Sequence, residues 1–168
     1  MHIWSISAVS LMRFASGDRS EVMGMATVFD VAAYILEKKG LMTTMKLQKL
    51  CYYSQAWALV WDSKPLFSER IQAWANGPVI PQLYDIHKGM FEIGPGQVTG
   101  GNPGALTADQ KEGIDVVLEY YGDKSPFWLS ELTHAEQPWK GARDGLAPGE
   151  RGCTEITHAA MAEYYASL

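Results

Sequence analysis

Thr44-Met45-Lys46-Leu47-Gln48-Lys49-Leu50-Cys51-Tyr52-Tyr53-Ser54-Gln55-Ala56-Trp57-Ala58-Leu59-Val60-Trp61 is the stretch that decides the fold. Leu47, Leu50, Cys51, Ser54, Trp57, Ala58 and Trp61 recur at spacings of three and four, which is the period of an α-helix with one buried stripe. Lys46, Lys49 and Tyr53 turn away from that stripe, so they read as a solvated face or, more sharply, as a partner surface. As the most apolar helix of the chain, this segment belongs at the centre of the molecule. Asp62-Ser63-Lys64-Pro65 ends it in a turn.

Upstream, Val28, Val31, Ala32, Ile35 and Leu36 keep the same period from Thr27 to about Lys39. Thr27 with Asp30 forms a capping-box start, and Gly40 stands where a helix-ending glycine belongs. Residues 1–24 carry no helical periodicity and their charges cancel, so they read as a loose N-terminal leader, with residues 25–168 as the domain.

Downstream, Ile71, Ala73 and Ala75 alternate with Arg70 and Gln72, a weak strand signal that allows a short hairpin. Asn76-Gly77-Pro78 breaks the chain, and Pro81 opens a short helix through Leu83, Tyr84 and His87. Five glycines and two prolines between Gly94 and Gly104 leave no room for a regular element, so that stretch reads as an exposed, mobile loop. Thr107 with Gln110 caps a helix through Ile114, Val117, Leu118 and Tyr121, and Ser125-Pro126 starts another that ends before Pro138. A polar loop follows from Lys140 to Gly152. Ile156 and Met161 then bracket Thr157 at hydrophobic-staple spacing, and the last helix runs to the C-terminus. The fold class is therefore mainly α: a compact single-domain bundle of about six helices with a possible short hairpin.

The net charge of −5 comes from 14 basic and 19 acidic residues, and the basic residues are scattered rather than gathered in a stripe, which argues against direct nucleic-acid binding. Two cysteines, Cys51 and Cys153, make no disulfide framework and suit a reducing cytoplasm. The apolar run from Ile3 to Met12 is too short to span a bilayer and has no Lys or Arg ahead of it, so neither a membrane span nor a signal peptide is expected.

Little in the chain suggests chemistry. His134 and Glu136 could act as a general base and its orienter, but their i, i+2 spacing puts them on different helix faces and no nucleophile is tied to them. The four histidines and two cysteines never reach metal-ligand spacing. The glycines at 94–101 lack the lysine and the strand-then-helix setting of a phosphate loop. No catalytic residue, metal or cofactor is expected, and the chain reads as a binder rather than an enzyme. The aromatics are more telling, since Trp and Tyr are favoured at binding hot spots. Trp57, Trp61 and Trp128 lie on apolar stripes and read as core. Trp74 and Trp139 sit beside chain breakers and are candidates for partner contact.

These residues resemble the Panacea antitoxin domain family, which includes SocA-like and GepA-like phage-associated proteins. The resemblance rests on Met45-Lys46-Leu47-Gln48-Lys49-Leu50 with Tyr52-Tyr53-Ser54-Gln55-Ala56, on Ala73-Trp74-Ala75-Asn76-Gly77-Pro78-Val79-Ile80-Pro81 with Leu83-Tyr84, and on Leu129-Ser130 and Thr133-His134 ahead of Pro138-Trp139. It runs in order from Met25 to Leu168, and the leader before Met25 departs from the pattern. The resemblance implies a mostly helical fold and an antitoxin that neutralises a cognate protein toxin by direct contact. The alternative is an adaptor that hands a toxin to an ATP-dependent protease, and a small hydrolase using His134 is a distant third. The residues expected to touch the partner are Lys46, Lys49, Tyr53, Trp74, Asn76, Tyr84, His134 and Trp139.

Overall fold

The computed structural model describes residues 25–168, and the stretch read as a leader lies outside them. The described residues form seven α-helices: α1 Val28–Lys39, α2 Thr44–Trp61, α3 Pro81–His87, α4 Ala108–Tyr121, α5 Pro126–Ala135, α6 Gln137–Ala142 and α7 His158–Ala166. Two small antiparallel pairs accompany them, β1 Met42–Thr43 with β4 Glu92–Ile93, and β2 Gln72–Trp74 with β3 Gly77–Val79. The architecture is mainly α with a short hairpin, β2–β3, as expected, while the pairing of β1 with β4 joins segments far apart in the chain and was not read from the sequence.

Helix starts follow the sequence closely. Thr27/Asp30 and Thr107/Gln110 both close full capping boxes, and Ser125 and Thr157 accept from the backbone N–H groups of Trp128 and Ala160. Each such cap satisfies an amide the helix cannot, at roughly 1 kcal/mol apiece. Gly40 ends α1 at φ 78°, a conformation that disfavours a side chain.

α2 occupies the centre. It packs on α1, α4, α5 and α7 and on strand β3, and its stripe from Leu47 to Trp61 is buried in one continuous core. Because neighbours surround it on nearly every side, its second face is buried too, which corrects the reading of Lys49 and Tyr53 as a solvated surface: they are 1% and 0% exposed. Lys46 stays half-buried.

Three further expectations change. Among the described residues the bundle has seven helices, not six, because Pro138 stands in the first turn of a six-residue α6, Gln137–Ala142, that runs into the stretch read as loop; so short a helix cannot show periodicity. The loop from Gly94 to Gly104 is largely exposed but buries Val98 and ends in a 3-10 turn, Pro103–Ala105. Trp128, read as core, is 38% exposed with the Lys124 ammonium 5.0 Å from its ring; α5 buries the face of Leu129, Ser130 and Thr133 instead. Trp57 and Trp61 are buried as read.

The hairpin pairs Gln72 with Val79, Ala73 with Pro78 and Trp74 with Gly77. Pro78 cannot donate to a ladder, which suits an outer strand. On the other side of β2, Ala73 N donates to Thr154 O and Ile156 N to Ile71 O, both at 2.8 Å, so the segment after α6 extends the sheet.

Candidate functional site

The hairpin is held from beneath by four side chains, each donating to one of its carbonyls. Arg143 Nη1 reaches Ala73 O at 3.0 Å, Trp139 Nε1 reaches Trp74 O at 2.8 Å, Ser130 Oγ reaches Asn76 O at 2.8 Å and Lys49 Nζ reaches Pro78 O at 3.1 Å. These donors come from α2, α5, α6 and the residue after α6. Gly77 makes the approach possible: at φ 120° it lies so close over Lys49 that a Cβ would stand 2.5 Å from Lys49 Cε and 2.9 Å from its Nζ. The Trp-Ala-Asn-Gly-Pro block is therefore a backbone clamp as well as a turn.

Aromatic side chains ring the clamp. Trp74 and Tyr84 meet edge to face at 4.9 Å, and Tyr84 meets His87 the same way at 5.4 Å. Trp74 and Tyr84 are partly exposed and Asn76 is exposed. Buried Gln48 closes the joint between hairpin and α3: its Oε1 accepts from Ile80 N at 2.8 Å, and its Nε2 donates to Ile80 O at 3.3 Å and meets His87 Nε2 at 2.9 Å. With the amide donating, His87 Nε2 accepts and the ring is neutral, in keeping with burial lowering its pKa.

His134 stacks flat on Trp139, ring centres 4.0 Å apart and planes 14° from parallel, and the Arg143 guanidinium stands 5.1 Å from the same indole. The buried Nε2 of His134 has no hydrogen-bond partner among the described residues. Burial lowers its pKa, while Glu131 pulls the other way. Glu136 does not orient His134. It points inward, accepting from Tyr53 Oη at 2.6 Å and Tyr165 Oη at 3.0 Å.

That carboxyl belongs to a buried network. Tyr52 and Tyr165 share a hydrogen bond of 3.0 Å, Tyr53 stacks on Tyr121 at 4.1 Å, and Trp57 Nε1 donates to Tyr121 Oη at 3.1 Å. Burial raises the Glu136 pKa to about 7 against the pull of its two tyrosines, and burial alone lowers that of Lys49 to about 7. Both groups sit where charge is costly.

Of the eight residues expected at the partner surface, Trp74, Asn76 and Tyr84 form one contiguous face. His134 and Trp139 buttress it from behind. Lys49 lies beneath it and Tyr53 deeper still, in the core, while Lys46 is half-buried on the first turns of α2. Sequence reasoning missed Arg143 and Gln48, which hold the hairpin and α3 in place. An arginine in a polar loop and a glutamine between two lysines carry no signal of burial. A cleft of about 430 Å³ opens beside the hairpin, between it, the first turns of α2, α3 and residues 149–153. Among the described residues no three His, Cys, Asp or Glu side chains gather closely enough to hold a metal ion, and no helix is long and apolar enough to cross a membrane.

A small, mainly α domain wrapped around one buried helix, presenting a clamped aromatic hairpin at its surface, is the class these features define. The chain belongs to the antitoxin SocA-like, Panacea domain family, whose model matches residues 47–140, from α2 through the hairpin to α6. No curated protein and no solved structure matches it.

Proposed function

We propose that this chain is the antitoxin of a toxin–antitoxin pair and neutralises its toxin by direct binding, covering the toxin's working face with the surface formed by Trp74, Asn76 and Tyr84. The observation that carries this reading is the clamp itself. Partly exposed Trp74, on a hairpin fixed by four buried or half-buried donors, and Tyr84 of α3 packed against it make a preformed surface, which loses little conformational freedom on association. The family's name supports an antitoxin role. The excess of acid would speed encounter with a basic toxin, while shape would set specificity.

Co-expression with the product of the neighbouring gene tests the reading. Restored growth and a stoichiometric complex on size exclusion are expected, and Trp74→Ala with Tyr84→Ala should abolish both while the chain still melts cooperatively. A double variant that folds and rescues fully would remove the docking face from consideration. Rescue should persist in cells lacking the major cytoplasmic ATP-dependent proteases; rescue lost there, with the neighbour's protein otherwise disappearing, would point to proteolytic delivery. His134→Ala should keep rescue provided Trp139 stays in place, whereas a folded but inactive variant would reopen the hydrolase reading.

A further inference from the structure

The cleft beside the hairpin has a character of its own, and it goes beyond toxin binding. At about 430 Å³ it is in the size range of small-molecule sites, and four separate segments of chain converge on it. Its charge runs against that of the protein: a chain with 19 acidic and 14 basic residues contributes Lys49 and Arg151 to the walls and no aspartate or glutamate. Lys49 is 1% exposed, and among the described residues its ammonium meets the Pro78 carbonyl and no carboxylate. A buried cation paired only with a neutral carbonyl is poorly compensated, and an anion nearby would relieve that cost. The remaining wall is aromatic and apolar: Trp74 and Tyr84 stand edge to face with their rings partly open, and Met45 is 38% exposed at the mouth. Rings in that setting favour a flat apolar guest.

We propose that this cleft binds a small organic anion carrying a planar ring, the ring lying against Trp74 and Tyr84 and the anionic group drawn to Arg151 and Lys49. Both phosphate and carboxylate fit that chemistry. Cys153, exposed at the rim, reports occupancy from within, because Cys51, the other thiol, is fully buried.

Calorimetry on the full chain alone tests the proposal, so its failure leaves the toxin-binding reading untouched. The probes are adenosine 5′-monophosphate and indole-3-acetate, with adenosine, indole, inorganic phosphate and acetate as their halves. At least one ring-bearing anion should bind with Kd below about 1 mM, more tightly than either of its halves, and should slow alkylation of Cys153 by iodoacetamide. Binding of the nucleotide alone would assign a phosphate, and of the indole acid alone a carboxylate. Arg151→Ala and Lys49→Met should each weaken binding about tenfold, the scale of one charge-assisted contact. Arg151 is exposed, so its variant keeps the test decisive if Lys49→Met fails to fold. No binding of either ring-bearing anion, equal binding of the neutral rings or of the ringless anions, or affinity unchanged in a folded variant would each overturn the proposal.

Discussion

At the scale of single residues, two buried ionisable groups shape how the protein answers pH. Glu136 has its pKa raised by burial from 4.5 to about 7, so between those values the folded chain holds a proton that the unfolded chain has lost. The stability this confers is complete below about pH 4.5 and is lost as pH climbs through 7. Lys49 works in the opposite sense. Its pKa falls from 10.5 to about 7, so across that interval the unfolded chain binds more protons and stability grows as pH rises. The contributions of these two groups alone sum to a minimum near neutral pH, with limbs of up to about 1.4 kcal/mol per pH unit on either side. His87 and His134, their pKa lowered by burial, add a rise in stability with pH below about 6.5. Differences in urea midpoint between the parent chain and a variant of each group, measured across that range, should trace the two limbs of the valley. Glu136→Gln should flatten the acid limb and Lys49→Met the alkaline one; a profile the two variants leave unchanged would show that neither group is titrating as its burial requires. None of this was legible in the sequence. A helical wheel places Lys49 and Tyr53 off the apolar stripe, yet it is blind to the hairpin and the helices that cover that side of α2, and Glu136 looked like a partner for His134 because they are close along the chain.

At the scale of elements, local chemistry was readable where a few neighbouring residues decide the outcome. The capping boxes at Thr27 and Thr107 and the C-terminal glycine of α1 need nothing from the rest of the fold, and all three form as read. The hairpin is a different case. Its second strand, Gly77–Val79, reads as a break because it contains glycine and proline, and it is a strand only because donors from elsewhere bind the carbonyls around its turn. Gly77 is the test of that view. Alanine there would meet Lys49 Cε at 2.5 Å and would also have to adopt φ 120°, which a side chain disfavours. Gly77→Ala should cost about 2 kcal/mol or more in chemical denaturation. Pairing it with Lys49→Ala, which clears the space, should recover the steric part and leave the backbone part. A Gly77→Ala chain as stable as the parent would mean that the clamp is looser than its distances imply.

At the scale of the whole molecule, the centre of α2 was legible because its apolar stripe is longer and richer than any other, and that residue count already implies several covering helices. Which helices cover it was not, since that depends on contacts far apart in sequence. α1 and α7 both pack on α2, yet both lie outside residues 47–140, the stretch that carries the family match. α7 brings Tyr165 to Glu136 and Tyr52, and the segment before it brings Thr154 and Ile156 to the edge of β2. Removing these parts would expose the apolar side of α2 and take one of the two tyrosine hydrogen bonds from Glu136, leaving that of Tyr53, a loss on the order of 1 kcal/mol beyond the lost packing. Residues 47–140 expressed alone should therefore lack a cooperative melting transition, whereas residues 25–168 should show a single one. Deleting only residues 157–168 separates the contributions: it should destabilise the domain and increase exposure of Trp57 to a soluble quencher, because Trp57 packs 5.6 Å from the Tyr165 ring. A fragment of residues 47–140 that melts cooperatively would locate the stability of the fold within the matched stretch and reduce α1 and α7 to accessories, and the clamped hairpin would then owe its rigidity to α2, α5 and α6 alone.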